Sequence, residues 1–438
     1  MSRKAMLLVT VVLVGFTLAL VFSSLLTAPE TTRAAQRMDS GPGAPVVPDT
    51  DAYIVLAWND LGMHCYNSDF EYLAVLPPAN TVWAQVLKVA DPPQVVTTGL
   101  TVTYEVLSNT FSVGKTNFWD YEQDLYTETG DLLPNVGLTG NGLTGTMEAK
   151  ADHFVAEMIP LTEILDDDYT ANPDDPTPYP YQLVRVEVWD AATGQKLAEA
   201  TPVAPVSSEM HCEYCHDNNG IGNRGISTGI VELNILSAHD REHFSDYPPG
   251  LKTLLVDSTP VRCSECHQSN ATGHPGIEEV PNLSHAMHEL HQYDPENCYD
   301  CHPGEQTQCL RGVMSHQYGM TCTDCHGGME DVASEDRDPW LDEPRCDNDG
   351  CHPDHTYPAD LLYRQATGHY GIYCEGCHDS PHAIAPSREA NDQIKFIALQ
   401  GTPDHLTTCT VCHASEPYGA GPHGTMVYAS VYLPLVVR

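Results

Sequence analysis

Sixty acidic residues against 20 basic ones leave this 438-residue chain with a formal charge of −40. Such a balance repels nucleic-acid phosphates and anionic lipid headgroups, excludes a DNA- or RNA-binding role, and favours cationic partners and divalent ions. Hydrophobic content of 41% is that of a globular protein, so wholesale disorder is excluded too, and the length allows two or three domains.

The chain opens with Arg3 and Lys4 before an uncharged apolar run from Ala5 to Leu26. Residues 1–30 therefore read as an export signal peptide or as a retained N-terminal membrane anchor. Pro29 hinders cutting after Ala28, and small-residue sites near Thr32 and Ala34 are weak, so cleavage stays open. Either way the positive end stays inside and the bulk of the chain crosses, which predicts a periplasmic, cell-surface or extracellular protein. Residues 31–50, small and rich in Pro and Gly, form a linker.

From 51 to 206 the apolar period is two. Leu100, Val102, Tyr104 and Val106 alternate with Thr101, Thr103 and Glu105, and Val184, Val186 and Val188 alternate with Arg185 and Glu187 before the turn DAATG. This pattern predicts an antiparallel β-sandwich-like domain with one wet face. Its acidic stretch LDDDYTANPDDP, residues 165–176, reads as a solvated loop; calcium is an alternative there, although the ordered ligand spacing of a calcium loop is missing. Beyond 206 both periodicities fade. Short helices and little regular structure are expected over 207–425, the longest helical signal being GIVELNILSAHDREHF, with Ile230, Val231, Leu233, Leu236 and His239 at helical spacing. The apolar tail 426–438 is too short to span a bilayer.

The cysteines give this second region its chemistry. Cys212–Cys215–His216, Cys263–Cys266–His267, Cys298–Cys301–His302, Cys322–Cys325–His326, Cys374–Cys377–His378 and Cys409–Cys412–His413 share one frame, Cys-x-x-Cys-His, the haem c attachment motif. Two thiols one helical turn apart can each form a thioether with a vinyl group of the porphyrin, and the histidine that follows can ligate iron. Zinc ribbons also use Cys-x-x-Cys pairs, but they need no histidine at a fixed next position. A purely disulfide framework would not need it either.

Residues 211–423, about half the chain, resemble on these motifs the haem-packed region of multihaem c-type cytochromes. The resemblance implies an exported electron-transfer protein; some extracellular members stack their haems in chains that run between subunits as filaments. The longer RCDNDGCH belongs to the same series: His326, His352 and His378 are 26 residues apart in each step, so Cys346 and Cys351 read as a seventh tether. The two extra residues are expected to bulge out, helped by Gly350, which can take a positive φ.

Seven proximal histidines follow: His216, His267, His302, His326, His352, His378 and His413. Distal candidates are His239, His288, His291, His316, His369, His382 and His423, with His211, His243, His274, His285, His355 and His405 in reserve. Met287, Met314, Met320 and Met329 could replace a distal histidine, but bis-histidine sites are the favoured reading. Seven tethers use 14 of the 16 cysteines, leaving Cys65 and Cys309. In an oxidising compartment these suggest one disulfide between the two regions; His64 and Cys65 as a metal or haem contact, and two unrelated buried thiols, are the alternatives.

The expectation is thus electron transfer through seven haem c groups, with redox proteins or extracellular acceptors as partners and self-assembly as a further option. The high negative charge would favour ferric iron and low potentials. A multihaem oxidoreductase with one open-site haem, acting on a small nitrogen or sulfur species, is the alternative; no Cys-x-x-Cys-Lys motif is present. In a third reading the β region is the docking end and the haems are its wiring.

Overall fold

The computed structural model describes residues 52–291, 297–304, 306–348, 350–353, 357–424 and 426–427. The proposed signal, the linker and nearly all of the C-terminal tail lie outside the described residues. Among the described residues no helix is long and apolar enough to cross a membrane.

Two sheets form the first part. One runs β1 (Tyr53–Asn59), β4 (Asn80–Lys88), β9 (Phe154–Ile159), β8 (Glu148–Ala149), with β5 (Gln94–Val95) also on β4. The other runs β2 (His64–Cys65), β12 (Val203–Ser207), β10 (Tyr181–Asp190), β6 (Leu100–Val106), β7 (Thr144–Thr146), with β11 (Lys196–Ala200) also on β10. Most pairings are antiparallel, but β2 lies parallel to β12, so the second sheet is mixed. Val102, Tyr104 and Val106 of β6, with Val184, Val186 and Val188 of β10, meet Val82, Ala84 and Val86 of β4 and Phe154 of β9 in one core. The period of two did mark the strands whose other face is wet.

β1 and β4 are different, because they are covered on both faces. Behind their sheet lies a second cluster in which Leu56, Trp58 and Leu87 pack against Ile372, Tyr373 and Cys412 from the cysteine-rich region. Burial on both faces removes the alternation, which is why YIVLAWN reads as a plain apolar run.

The composition changes at 206, yet the packing does not divide there: the described residues fall in one compact unit. β13 (Val261–Arg262) pairs parallel with β3 (Leu73–Ala74). Gln85 Nε2 donates to the Gly371 carbonyl at 2.9 Å, and Tyr373 N donates to Gln85 Oε1 at 3.1 Å. Lys395 Nζ donates to the Ala57 carbonyl at 2.9 Å and pairs with Asp379 at 2.7 Å. Arg311, fully buried, donates to Gly62 O at 2.6 Å and holds Asp392 through two bonds of 2.7 and 3.0 Å. Helices beyond 206 are short, the longest being Val231–His243 and Ala390–Gln400.

One local expectation is corrected. The acidic stretch from 165 opens as a helix, Asp166–Ala171, rather than a loop. Asp166 at its start accepts from Thr110 N and Oγ1 and pairs with Lys115 at 2.5 Å, which ties down the end that a loop would leave free.

Removing one partner of a buried pair leaves the other charge uncompensated. Arg311→Met should therefore cost about 3–5 kcal/mol in denaturant unfolding, with much of the loss recovered in Arg311→Met/Asp392→Leu. An unchanged unfolding midpoint in the single variant would remove Arg311 as the clasp between the two regions.

Candidate functional site

Each regular cysteine–histidine motif closes on itself within one helical turn. Cys322–His326 and Cys374–His378 are single α-turns, and Cys263, Cys298 and Cys409 start 3₁₀ turns. The histidine N–H returns to the carbonyl of the first cysteine at 2.9 Å for His216, 3.1 Å for His267, 2.9 Å for His302 and 3.0 Å for His413. That bond brings both sulfurs and the imidazole to one side of a compact loop.

The longer loop keeps the same closure. His352 N donates to Cys346 O at 3.1 Å although two more residues intervene. The surplus is taken up at Asn348, whose carbonyl accepts from Cys351 N at 3.0 Å and whose side chain accepts from Gly350 N at 3.0 Å. Arg345 anchors the base, donating to both oxygens of Asp347 at 2.8 Å and to the carbonyls of Tyr357 at 2.9 Å and Leu361 at 3.0 Å.

Six motif histidines stand opposite a second imidazole among the described residues. Ring centres are 6.2 Å apart for His216 and His291, 6.2 Å for His267 and His239, 6.1 Å for His302 and His288, 6.3 Å for His326 and His382, 6.2 Å for His413 and His369, and 5.9 Å for His378 and His423. The reserve His405 also approaches His378, at 5.1 Å. The helix Leu283–His291 serves two loops: residues three apart share a helix face, so His288 reaches His302 while His291 reaches His216.

Acceptors fix which nitrogen of these rings carries the proton. Nδ1 donates to Asn223 Oδ1 from His216 (3.1 Å), to Pro281 O from His267 (2.8 Å), to Ser284 O from His288 (2.8 Å) and to the Tyr247 hydroxyl from His239 (2.8 Å). His291 donates to Met287 O, and His413 to Asp91 Oδ1 at 3.2 Å. A carbonyl, amide or carboxylate oxygen can only accept, and the Tyr247 O–H is already given to Asp240, so Nδ1 is the protonated nitrogen and Nε2 keeps its lone pair. Burial adds to this by disfavouring the imidazolium: His239, His302, His326 and His382 are pushed down to about 4, and His216, His267, His288 and His369 are lowered too. These imidazoles are neutral at neutral pH.

The loops follow one another in space in an order different from the chain. Burial raises the thiols, that of Cys263 to about 12 and that of Cys212 to about 11, and neighbouring cysteines raise them further. Those neighbours link Cys263 to Cys212, Cys212 to Cys301, Cys298 to Cys322, Cys325 to Cys351, Cys346 to Cys374 and Cys377 to Cys412. The succession begins at the Cys263 loop, passes through the Cys212 loop, and then keeps chain order to the Cys409 loop.

His316 is not brought to any of the six pairs: its Nε2 lies 2.8 Å from the Pro386 carbonyl, which takes one of its two ring nitrogens. Among the reserves, His285 is tied to Ala333 O at 2.7 Å and to Glu289 at 3.1 Å, His211 stacks on Tyr214, His274 accepts from Gly276 N, and His243 lies 5.1 Å from His239. His355 lies outside the described residues.

Cys65 and Cys309, the pair expected to form a disulfide, carry no S–S bond in this structure. They do sit in one neighbourhood: Cys65 lies opposite Ser207 in the β2–β12 pairing, and Ser207 Oγ is 2.9 Å from Thr307 Oγ1. The Cys309 sulfur is instead 3.4 Å from His382 Nδ1. For calcium, Asp166 is already satisfied by Lys115, and among the described residues no group of three His, Cys, Asp or Glu side chains could hold a metal ion.

Sequence reasoning missed the second layer. Asp91, Asn223, Tyr247 and Arg345 carry no motif; only the proximity of Tyr247 and Asn223 to their histidines in the chain hinted at contact. A scan of protein-family models and a search of curated proteins find no match to this chain.

Alkylation of the unfolded protein without reductant should label both Cys65 and Cys309. Peptide masses showing the two joined and unlabelled would establish the disulfide.

Proposed function

We propose that the chain is a multihaem c-type cytochrome carrying electrons through seven covalently held haem c groups outside the cytoplasm. The observation that carries this reading is the spacing of the imidazole pairs. A metal–imidazole bond of about 2 Å, plus about 1.1 Å from the bonding nitrogen to the ring centre, sets two rings across one iron about 6.2 Å apart. Five pairs lie at 6.1–6.3 Å and the sixth at 5.9 Å. No pair is close enough to bond directly, and each includes a motif histidine.

A second observation supports it. Between residues 207 and 362 the buried hydrophobic side chains among those described are Leu236 and Ala333 alone. A stretch of this length with so little apolar core needs large buried groups from another source. Seven porphyrins would supply them.

In this reading Cys212/Cys215, Cys263/Cys266, Cys298/Cys301, Cys322/Cys325, Cys346/Cys351, Cys374/Cys377 and Cys409/Cys412 hold the groups by thioethers. His216, His267, His302, His326, His352, His378 and His413 are the proximal ligands, and His291, His239, His288, His382, His423 and His369 lie opposite His216, His267, His302, His326, His378 and His413 in turn. Bound there, haem c supplies reversible one-electron exchange at iron. The residues do the rest: Nδ1 hydrogen bonds orient six of the imidazoles, burial disfavours the charged form of His239, His302, His326, His382, His216, His267, His288 and His369, and the succession of loops places neighbouring sites side by side. Six sites offering two imidazoles each favour electron transfer over the open-site reductase, since a saturated iron binds no substrate.

Pyridine haemochrome quantification should give seven haems per chain, and Cys346→Ala/Cys351→Ala one fewer. His369→Ala, which takes away the imidazole opposite His413, should turn about one-seventh of the haem high-spin in the electronic spectrum while the total stays the same. A fully low-spin spectrum in that variant would show His369 is not a ligand, and a haem-free chain would overturn the whole reading.

A further inference from the structure

The partners of the imidazole N–H groups are not equivalent. Those of His216, His267, His288 and His291 are neutral amide or carbonyl oxygens, and that of His239 is a phenol. His413 alone among these donates to a carboxylate, Asp91, at 3.2 Å. Asp91 follows β4 in the β-rich part, 322 positions from His413 in the chain. Its second oxygen accepts from Ser415 Oγ at 2.7 Å, so the carboxylate straddles the end of the Cys409 loop and is held in place by it.

A ligand imidazole that donates its N–H to a carboxylate gains imidazolate character and becomes a stronger donor to iron. A stronger donor favours the ferric state and lowers the potential. The Cys409 loop is one end of the succession. At the other end the corresponding carboxylate, Asp240, is one step removed: it accepts from the Tyr247 hydroxyl at 2.7 Å and also from Leu255 N and Val256 N at 2.8 and 3.2 Å. There the negative charge is shared among three donors and reaches His239 only through the phenol.

We propose that Asp91 is a positioning residue that, through His413, sets the haem at Cys409 and Cys412 to a lower potential than a neutral partner would. The proposal rests on the haem reading above. It makes the two ends of the wire unequal and gives the β-rich part a redox role, since that part supplies the carboxylate.

The test is a spectroelectrochemical titration of the full seven-haem protein. In Asp91→Asn about one-seventh of the reduction amplitude should move to higher potential by at least the tenfold change in ferric preference that equals 59 mV for one electron. Asp91→Glu should return that component toward the wild-type position, and Ser415→Ala, which keeps the carboxylate, should move it less. Asp91→Ser offers a smaller neutral acceptor and must shift the same component upward, so the proposal stays testable if Asp91→Asn folds poorly. A role confined to structure would lower stability and leave the potential of the folded fraction in place. A titration curve of either neutral variant that superimposes on the wild type, with seven haems still bound, overturns this inference alone; a chain without haem overturns it together with the reading it rests on.

Discussion

An imidazole whose Nδ1–H is committed to an oxygen has one nitrogen left with a lone pair, and the arrangement beyond residue 206 depends on that constraint. Hydrogen bonds to Asn223, Pro281, Ser284, Met287, Tyr247 and Asp91 settle the tautomer of six rings. Since tautomer and orientation are set by the same bond, each ring is presented in one way before any ligand arrives. Without these partners a histidine-rich surface would offer many weak geometries; with them it offers pairs at nearly one spacing.

Pairing at that spacing needs a rigid support, and the cysteine-rich part has little apolar material to provide one. The β-rich part takes over this work. Its sheet of β1 and β4 carries a second buried face on which Ile372, Tyr373 and Cys412 rest, and buried Lys395 and Arg311 reach back to the carbonyls of Ala57 and Gly62. Arg311 also fixes the segment bearing His382, since its own backbone N–H donates to the His382 carbonyl at 2.9 Å. The turn between β1 and β2 and a ligand candidate are thereby held by one residue. The charge is buried at a desolvation cost that Asp392 offsets, and what it secures is position.

Sequence legibility followed the range of the interactions. β6 and β10 were readable because one face is wet, and the helix Val231–His243 because its apolar spacing is local. The six regular loops were readable because attachment chemistry fixes residue types within five positions. β1 and β4 were not, since a face covered by residues some 300 positions later has no local signature. The histidines opposite the motifs were readable as a class, by abundance, but their assignment was not: His239 serves a loop after it, His291 a loop well before it, and His316 none of the six pairs. Asp91 was invisible for the same reason as β1.

RCDNDGCH shows how a local rule survives an irregularity. Two residues separate the cysteines of the regular motifs; here four do, and the closing bond from the histidine N–H to the first cysteine carbonyl is kept at 3.1 Å. The longer loop carries Asp347, which takes both arms of Arg345, and Asn348, which folds the surplus into a turn. Arg345 meanwhile reaches the carbonyls of Tyr357, Pro358, Ala359 and Leu361 and lies over the Tyr357 ring at 4.0 Å. Without the Asp347 carboxylate the guanidinium would face only carbonyls. In the proposed reading the loop therefore has two tasks: it would tether a haem, and through Arg345 and Asp347 it anchors the chain that leaves it.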